Sequence, residues 1–161
     1  MALFDASLEF SDDQDASQSA GTLAASNTFC FSDTTQELTG LEMGAGQPMW
    51  FNCKVGTEAV AATSGSTAGA CTFVVSLVNE SDTTIDSSSE TMYTSRTFTE
   101  DELTAGAWLV KIPLPYDIDK QAYMGVLYTV GGATSAVGTV DAWIDNGSQS
   151  SFDTQVSASN I

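Results

Sequence analysis

Period-two alternation of apolar and polar residues is densest between residues 122 and 144, and it restricts this stretch to β-structure. In its first arm Met124, Val126, Tyr128 and Val130 share one face, with Tyr123, Gly125, Leu127 and Thr129 on the other. In its second arm Val140, Ala142 and Ile144 oppose Thr139, Asp141 and Trp143. Alternating β-branched and aromatic residues mark strands, and Gly131 with Gly132 marks a turn between them. The spacing predicts a β-hairpin with a loop longer than two residues. A hairpin alone is marginal in water, so these arms must belong to a larger sheet.

The rest of the chain supplies material for that sheet. Residues 1–27 lack periodicity and are expected to form an extended N-terminal arm, leaving 28–161 as one sandwich domain. Leu3, Phe4, Leu8 and Phe10 are apolar residues of that arm and need a partner surface, on their own domain or on another subunit. Short strands are expected at 28–32, 49–55, 71–79 and 107–114, with a further one at 151–156. The strand at 71–79 is apolar on both faces and reads as central. At 107–114 Trp108, Val110, Ile112 and Leu114 are expected in the core, and Pro113 puts the strand at a sheet edge. Thr99 and Glu102 have the spacing of a capping box, but Gly106 follows so soon that only one helical turn is expected, near 100–103. Residues 79–90 read as a polar surface loop.

Six to eight short strands without βα alternation predict an all-β, antiparallel β-sandwich. Jelly-roll and immunoglobulin-like topologies both fit this pattern. Trp50 and Trp143 fall out of phase with the apolar faces of their strands, so each either covers the sandwich edge or anchors a partner.

Function classes are narrowed mainly by what is scarce. The chain has no histidine, which removes the commonest general base and metal ligand together with every Ser-His or Cys-His nucleophile. No catalytic residues are assigned, and the protein is expected not to be an enzyme. Asp12-Asp13-Gln14-Asp15 and Asp117-Ile118-Asp119 resemble fragments of calcium loops but lack the full ligand spacing, so no metal or cofactor is expected. Four basic residues against 21 acidic ones give a net charge of −17. Such a surface repels phosphate backbones and anionic headgroups, which argues against nucleic-acid and membrane partners. The N-terminal residues lack the basic and apolar regions of a secretory signal, so synthesis in a cytoplasm is expected. Cys30, Cys53 and Cys71 are expected as reduced, buried thiols.

Three segments together resemble the capsid cement (decoration) proteins of tailed bacteriophages, of the Bordetella-phage type. The opening MALFDASLEFSDDQDAS is similar to that family's start, with its Phe-Ser-Asp-x-Gln element at Phe10, Ser11, Asp12 and Gln14. TAGACTFVVSLVNESD (67–82) and LTAGAWLVKIPLP (103–115) resemble its paired central strands, and 122–144 its closing hairpin. Where the family tends to have an Ile-Asp-Leu-Gly-like element, this chain departs with Phe29-Cys30-Phe31-Ser32. The resemblance implies a jelly roll on the outer surface of an icosahedral head, clamping adjacent subunits of the major capsid protein, without catalysis. Within that reading the capsid-binding candidates are Leu3, Phe4, Leu8 and Phe10, the interface candidates are Trp50 and Trp143, and a homo-oligomer (dimer or trimer) is expected. The rival reading is a carbohydrate-binding or adhesive β-sandwich, with Trp50 or Trp143 in an exposed sugar platform.

Overall fold

The chain lays down its strands in the order β1 (Glu9–Asp15), β2 (Gly21–Ala24), β3 (Phe29–Cys30), β4 (Trp50–Val55), β5 (Thr72–Glu80), β6 (Glu90–Thr94), β7 (Phe98–Thr99), β8 (Trp108–Pro113), β9 (Tyr123–Gly131) and β10 (Thr139–Asp145). The structure, a computed structural model, describes residues 8–17, 20–30, 49–56, 71–114, 121–132 and 138–145. The expected strand at 151–156, and residues 31 and 32 of the first strand candidate, lie outside these described residues.

Two antiparallel sheets face each other. Sheet A has the order β1-β10-β4-β8. In sheet B the order is β2-β9-β5-β6, with β3 also on β9 and β7 also on β5. The short strands β2 and β3 pair with successive parts of β9, and β6 and β7 with successive parts of β5. Each such pair therefore fills one position in its sheet, leaving eight positions in all. Taken along the chain, the first position pairs with the eighth, the second with the seventh, the third with the sixth and the fourth with the fifth. That nested pairing is a jelly roll.

This topology corrects the expected hairpin at 122–144. Both arms are strands, but β9 lies in sheet B and β10 in sheet A, so they do not pair with each other. Among the described residues the turn from β5 to β6 is the one connection between strands adjacent in both sequence and sheet. Alternation specifies which face of a strand is buried; it does not specify which neighbour accepts its hydrogen bonds. Val126, Tyr128 and Val130 from one sheet and Val140, Ala142 and Ile144 from the other all enter the same core. Gly132 (φ 98°) and Gly138 (φ 77°) flank the crossing in the left-handed region that glycine adopts without strain.

The expected boundary at residue 27 is also corrected. β1 is the edge strand of sheet A beside β10, and β2 is an edge of sheet B on β9. Phe10 is 0% exposed in the core, 4.3 Å from Phe29 and 6.0 Å from Phe51 between ring centroids. These strands were hidden because β1 carries one large apolar residue and two register shifts, with Asp13 at φ 44°. A bulged edge strand with one side toward solvent does not show a period of two.

The Phe-Ser-Asp-x-Gln element has a structural role in joining the two sheets. Ser11 Oγ lies 2.8 Å from the buried Tyr128 hydroxyl and donates to Gln14 Oε1 at 2.6 Å. Gln14 Oε1 also accepts from the Ser26 backbone N–H, while its Nε2 donates to the Ala24 carbonyl. A buried tyrosine hydroxyl needs such a partner, and here the partner comes from the opposite sheet. Burial holds the Tyr128 phenol well above its ordinary pKa.

Beyond the main core, Val78, Ile85 and Leu127 form a small cluster on the outer side of sheet B. The 79–90 loop is therefore not wholly polar: Ile85 turns inward, and a Cβ at Gly125 would sit 2.7 Å from its Cγ1. Glycine at that position allows the close approach. β5 is central, as expected, and Pro113 ends the edge strand β8.

The capping box also forms, over a 3₁₀ turn at Glu100–Glu102. The Thr99 N–H donates to Glu102 Oε2 at 2.9 Å, and Arg96 donates two bonds to the same carboxylate at 2.7 and 2.9 Å. The Arg96 hydrogen bond is the largest cause that lowers the Glu102 pKa from 4.5 to about 2. A carboxylate with a lowered folded pKa stabilises the fold fully above about 4.5, and that contribution fades as pH falls toward 2. Glu102 is exposed, so the effect is small. Thermal melts of wild type and Glu102→Gln should differ slightly at pH 6 and converge by about pH 2.

Cys30, Cys53 and Cys71 are reduced and buried. Burial pushes the Cys53 thiol far above its ordinary pKa and raises that of Cys71. Since the thiolate is the reactive form, a thiol reagent should label the native protein slowly and all three cysteines after denaturation. Rapid native labelling of Cys53 would contradict this packing.

Candidate interaction surface

Residues directly opposite each other in antiparallel strands point to the same side of a sheet. In sheet A the pairs Phe51↔Ile144, Cys53↔Ala142 and Val55↔Val140 face the core. The alternate pairs Trp50↔Asp145, Asn52↔Trp143 and Lys54↔Asp141 therefore face outward. On the other side of β4, Trp50 opposes Pro113, Asn52 opposes Lys111 and Lys54 opposes Trp108. All three tryptophans of the chain thus lie on one face of one sheet.

Trp108 was expected in the core and is instead 42% exposed, which makes it the one exposed large hydrophobic among the described residues. The cause is local. A register shift falls between Cys53 and Lys54, where Leu109 is an extra residue on β8. Leu109 and Val110 both turn inward, so a one-residue slip moves Trp108 to the outer face. The sequence signal is the run Trp108-Leu109-Val110, three apolar residues where strict alternation allows two.

Trp143 points outward as its phase predicts, yet it is only 2% exposed. Trp108 lies against it with ring centroids 5.6 Å apart, and the Lys54 ammonium stands 5.8 Å from its ring centroid. Lys54 is held there by Asp141 at 3.2 Å. Trp50 is partly buried at the opposite end of the face. Lys111 places its ammonium 4.8 Å from the Trp108 ring centroid. Such cation–π contacts are worth roughly 0.5–1 kcal/mol at exposed sites, enough to favour the ammonium over the ring.

The arm candidates separate. Leu3 and Phe4 lie outside the described residues. Leu8 is partly buried and packs against the core, whereas Phe10 is consumed inside it and offers nothing to a partner. Glu9 opposes Trp143 in the β1–β10 ladder, so β1 begins beside that tryptophan. Partial burial raises the Glu9 pKa, with Asp12 and Asp141 adding to the shift.

The face thus carries one exposed indole, Trp108, with the ammonium groups of Lys54 and Lys111 against its aromatic rings. Among the described residues no three His, Cys, Asp or Glu side chains converge to hold a metal ion.

No curated protein matches the chain significantly. The sequence profile of the Bbp16 family matches residues 10–144, a span that runs from Phe10 in β1 through Ile144 in β10 and includes all ten strands in whole or part. This chain belongs to the Bbp16 family, a Bordetella phage protein family.

Proposed function

We propose that this phage protein is a structural virion component that decorates the outer surface of the icosahedral head and clamps adjacent major-capsid subunits. It is made in the host cytoplasm and carries no catalytic activity. Its partners are the major capsid protein and further copies of itself, a dimer or trimer, and not nucleic acid or membrane. The observation that carries this reading is the gathering of Trp50, Trp108 and Trp143 on the outer face of sheet A. Tryptophan is enriched at protein-interface hot spots, and Trp108 on this face is open to solvent, which supports sheet A as the contact face.

A sugar platform built on Trp143 receives less support, since that ring is only 2% exposed. The test is co-sedimentation of the purified protein with heads that lack it. Saturable binding to heads and none to tails is expected. Protein that stays in the supernatant at every head concentration would count against the reading.

A further inference from the structure

We infer that the capsid segment covering Trp108 is acidic: it brings a carboxylate to Lys111 and an apolar side chain to the exposed indole. This rests on the head-binding reading and adds the chemistry of the partner.

The described basic side chains are Lys54, Arg96 and Lys111. Arg96 is engaged by Glu102 through two hydrogen bonds, and Lys54 by Asp141 at 3.2 Å. Lys111 has no carboxylate within ion-pair distance among the described residues. It is also half-buried and placed over the one exposed large hydrophobic ring. Ammonium and indole therefore present a joint recognition element: a negative charge is favoured at one end and apolar surface at the other.

Location supports the same occupant. β8 is an edge strand, and among the described residues it pairs with β4 alone. A segment lying along that edge meets Lys111 and Trp108 without displacing any described strand. The net charge of −17 does not forbid an acidic partner there. At physiological ionic strength, charges beyond about 8 Å are largely screened, so the groups nearest Lys111 decide the local sign. Opposite Lys111 on β4 stands the neutral Asn52, and Asp141 is already taken by Lys54.

The experiment compares full-length wild type with Lys111→Glu, Lys111→Gln and Lys111→Arg. Affinity for heads lacking the protein is measured by quantitative co-sedimentation, self-association by sedimentation velocity and folding by thermal melts. Charge reversal is expected to weaken head binding by at least about tenfold, Lys111→Gln by about threefold, and Lys111→Arg by less than about twofold. The Lys111→Gln result carries the test if Lys111→Glu does not fold. Wild type that binds heads while folded Lys111→Glu and Lys111→Gln bind equally well overturns this inference and leaves head binding intact. Wild type that does not bind heads overturns both. Altered self-association with unchanged head affinity assigns the carboxylate to a second copy and overturns the capsid assignment.

Discussion

Truncating Phe10 to alanine should remove about 3–5 kcal/mol of stability, the range for deleting a buried aromatic ring from a packed core. Phe10 is wholly buried between Phe29 of β3 and Phe51 of β4, so its ring bridges the two sheets. A typical domain has only about 5–15 kcal/mol of stability in total, so this single change takes a large share. Urea denaturation monitored by tryptophan fluorescence would measure it. The partly buried Leu8 provides the comparison: Leu8→Ala should cost clearly less than the 2–5 kcal/mol of a fully buried leucine. A variant lacking residues 1–15 loses all of β1 and the Ser11 partner of Tyr128, and should not show a cooperative melt. If Phe10→Ala melted like wild type, β1 would be an appendage and the core described above would be wrong.

The second large effect separates binding from folding. Trp108→Ala should lower head affinity by about thirtyfold, the equivalent of a hot-spot loss near 2 kcal/mol. Its cost in stability should stay near 1 kcal/mol, because the ring is 42% exposed and its main described aromatic neighbour is Trp143. Thr129→Ala, an exposed change on the outer face of sheet B, should leave head affinity unchanged. Equal losses for the two variants, or none for Trp108→Ala, would remove sheet A as the contact face.

Most of the fold could be read from the sequence wherever strands alternate cleanly. β5, β9, β10 and the apolar phase of β4 follow from period two, and Pro113 marks the edge of sheet A. The short capped turn follows from Thr99, Glu102 and Gly106. What could not be read was pairing, because β9 and β10 bury their apolar phases equally well as a hairpin or as strands of opposite sheets. Irregular edges were also hidden. Two register shifts concealed β1, and one at Leu109 reversed Trp108. The site was therefore half legible: Trp50 and Trp143 were placed on the outer face by phase, while Trp108, the ring actually open to a partner, was assigned inward. Of the two surfaces open to Phe10, its own domain or another subunit, its own core takes it up. For β1 and Trp108 a bulge decided the outcome, and a bulge interrupts the alternation by which faces are read.

In the proposed function this jelly roll sits on the head with the outer face of sheet A toward the capsid. A cryo-electron microscopy difference map between heads with and without the protein tests it most directly. Added density of sandwich shape is expected on the outer head surface, spanning neighbouring capsid subunits, with Trp108 and Lys111 at the contact. Density that meets the capsid through the outer face of sheet B, or no added density on heads saturated with protein, would contradict it.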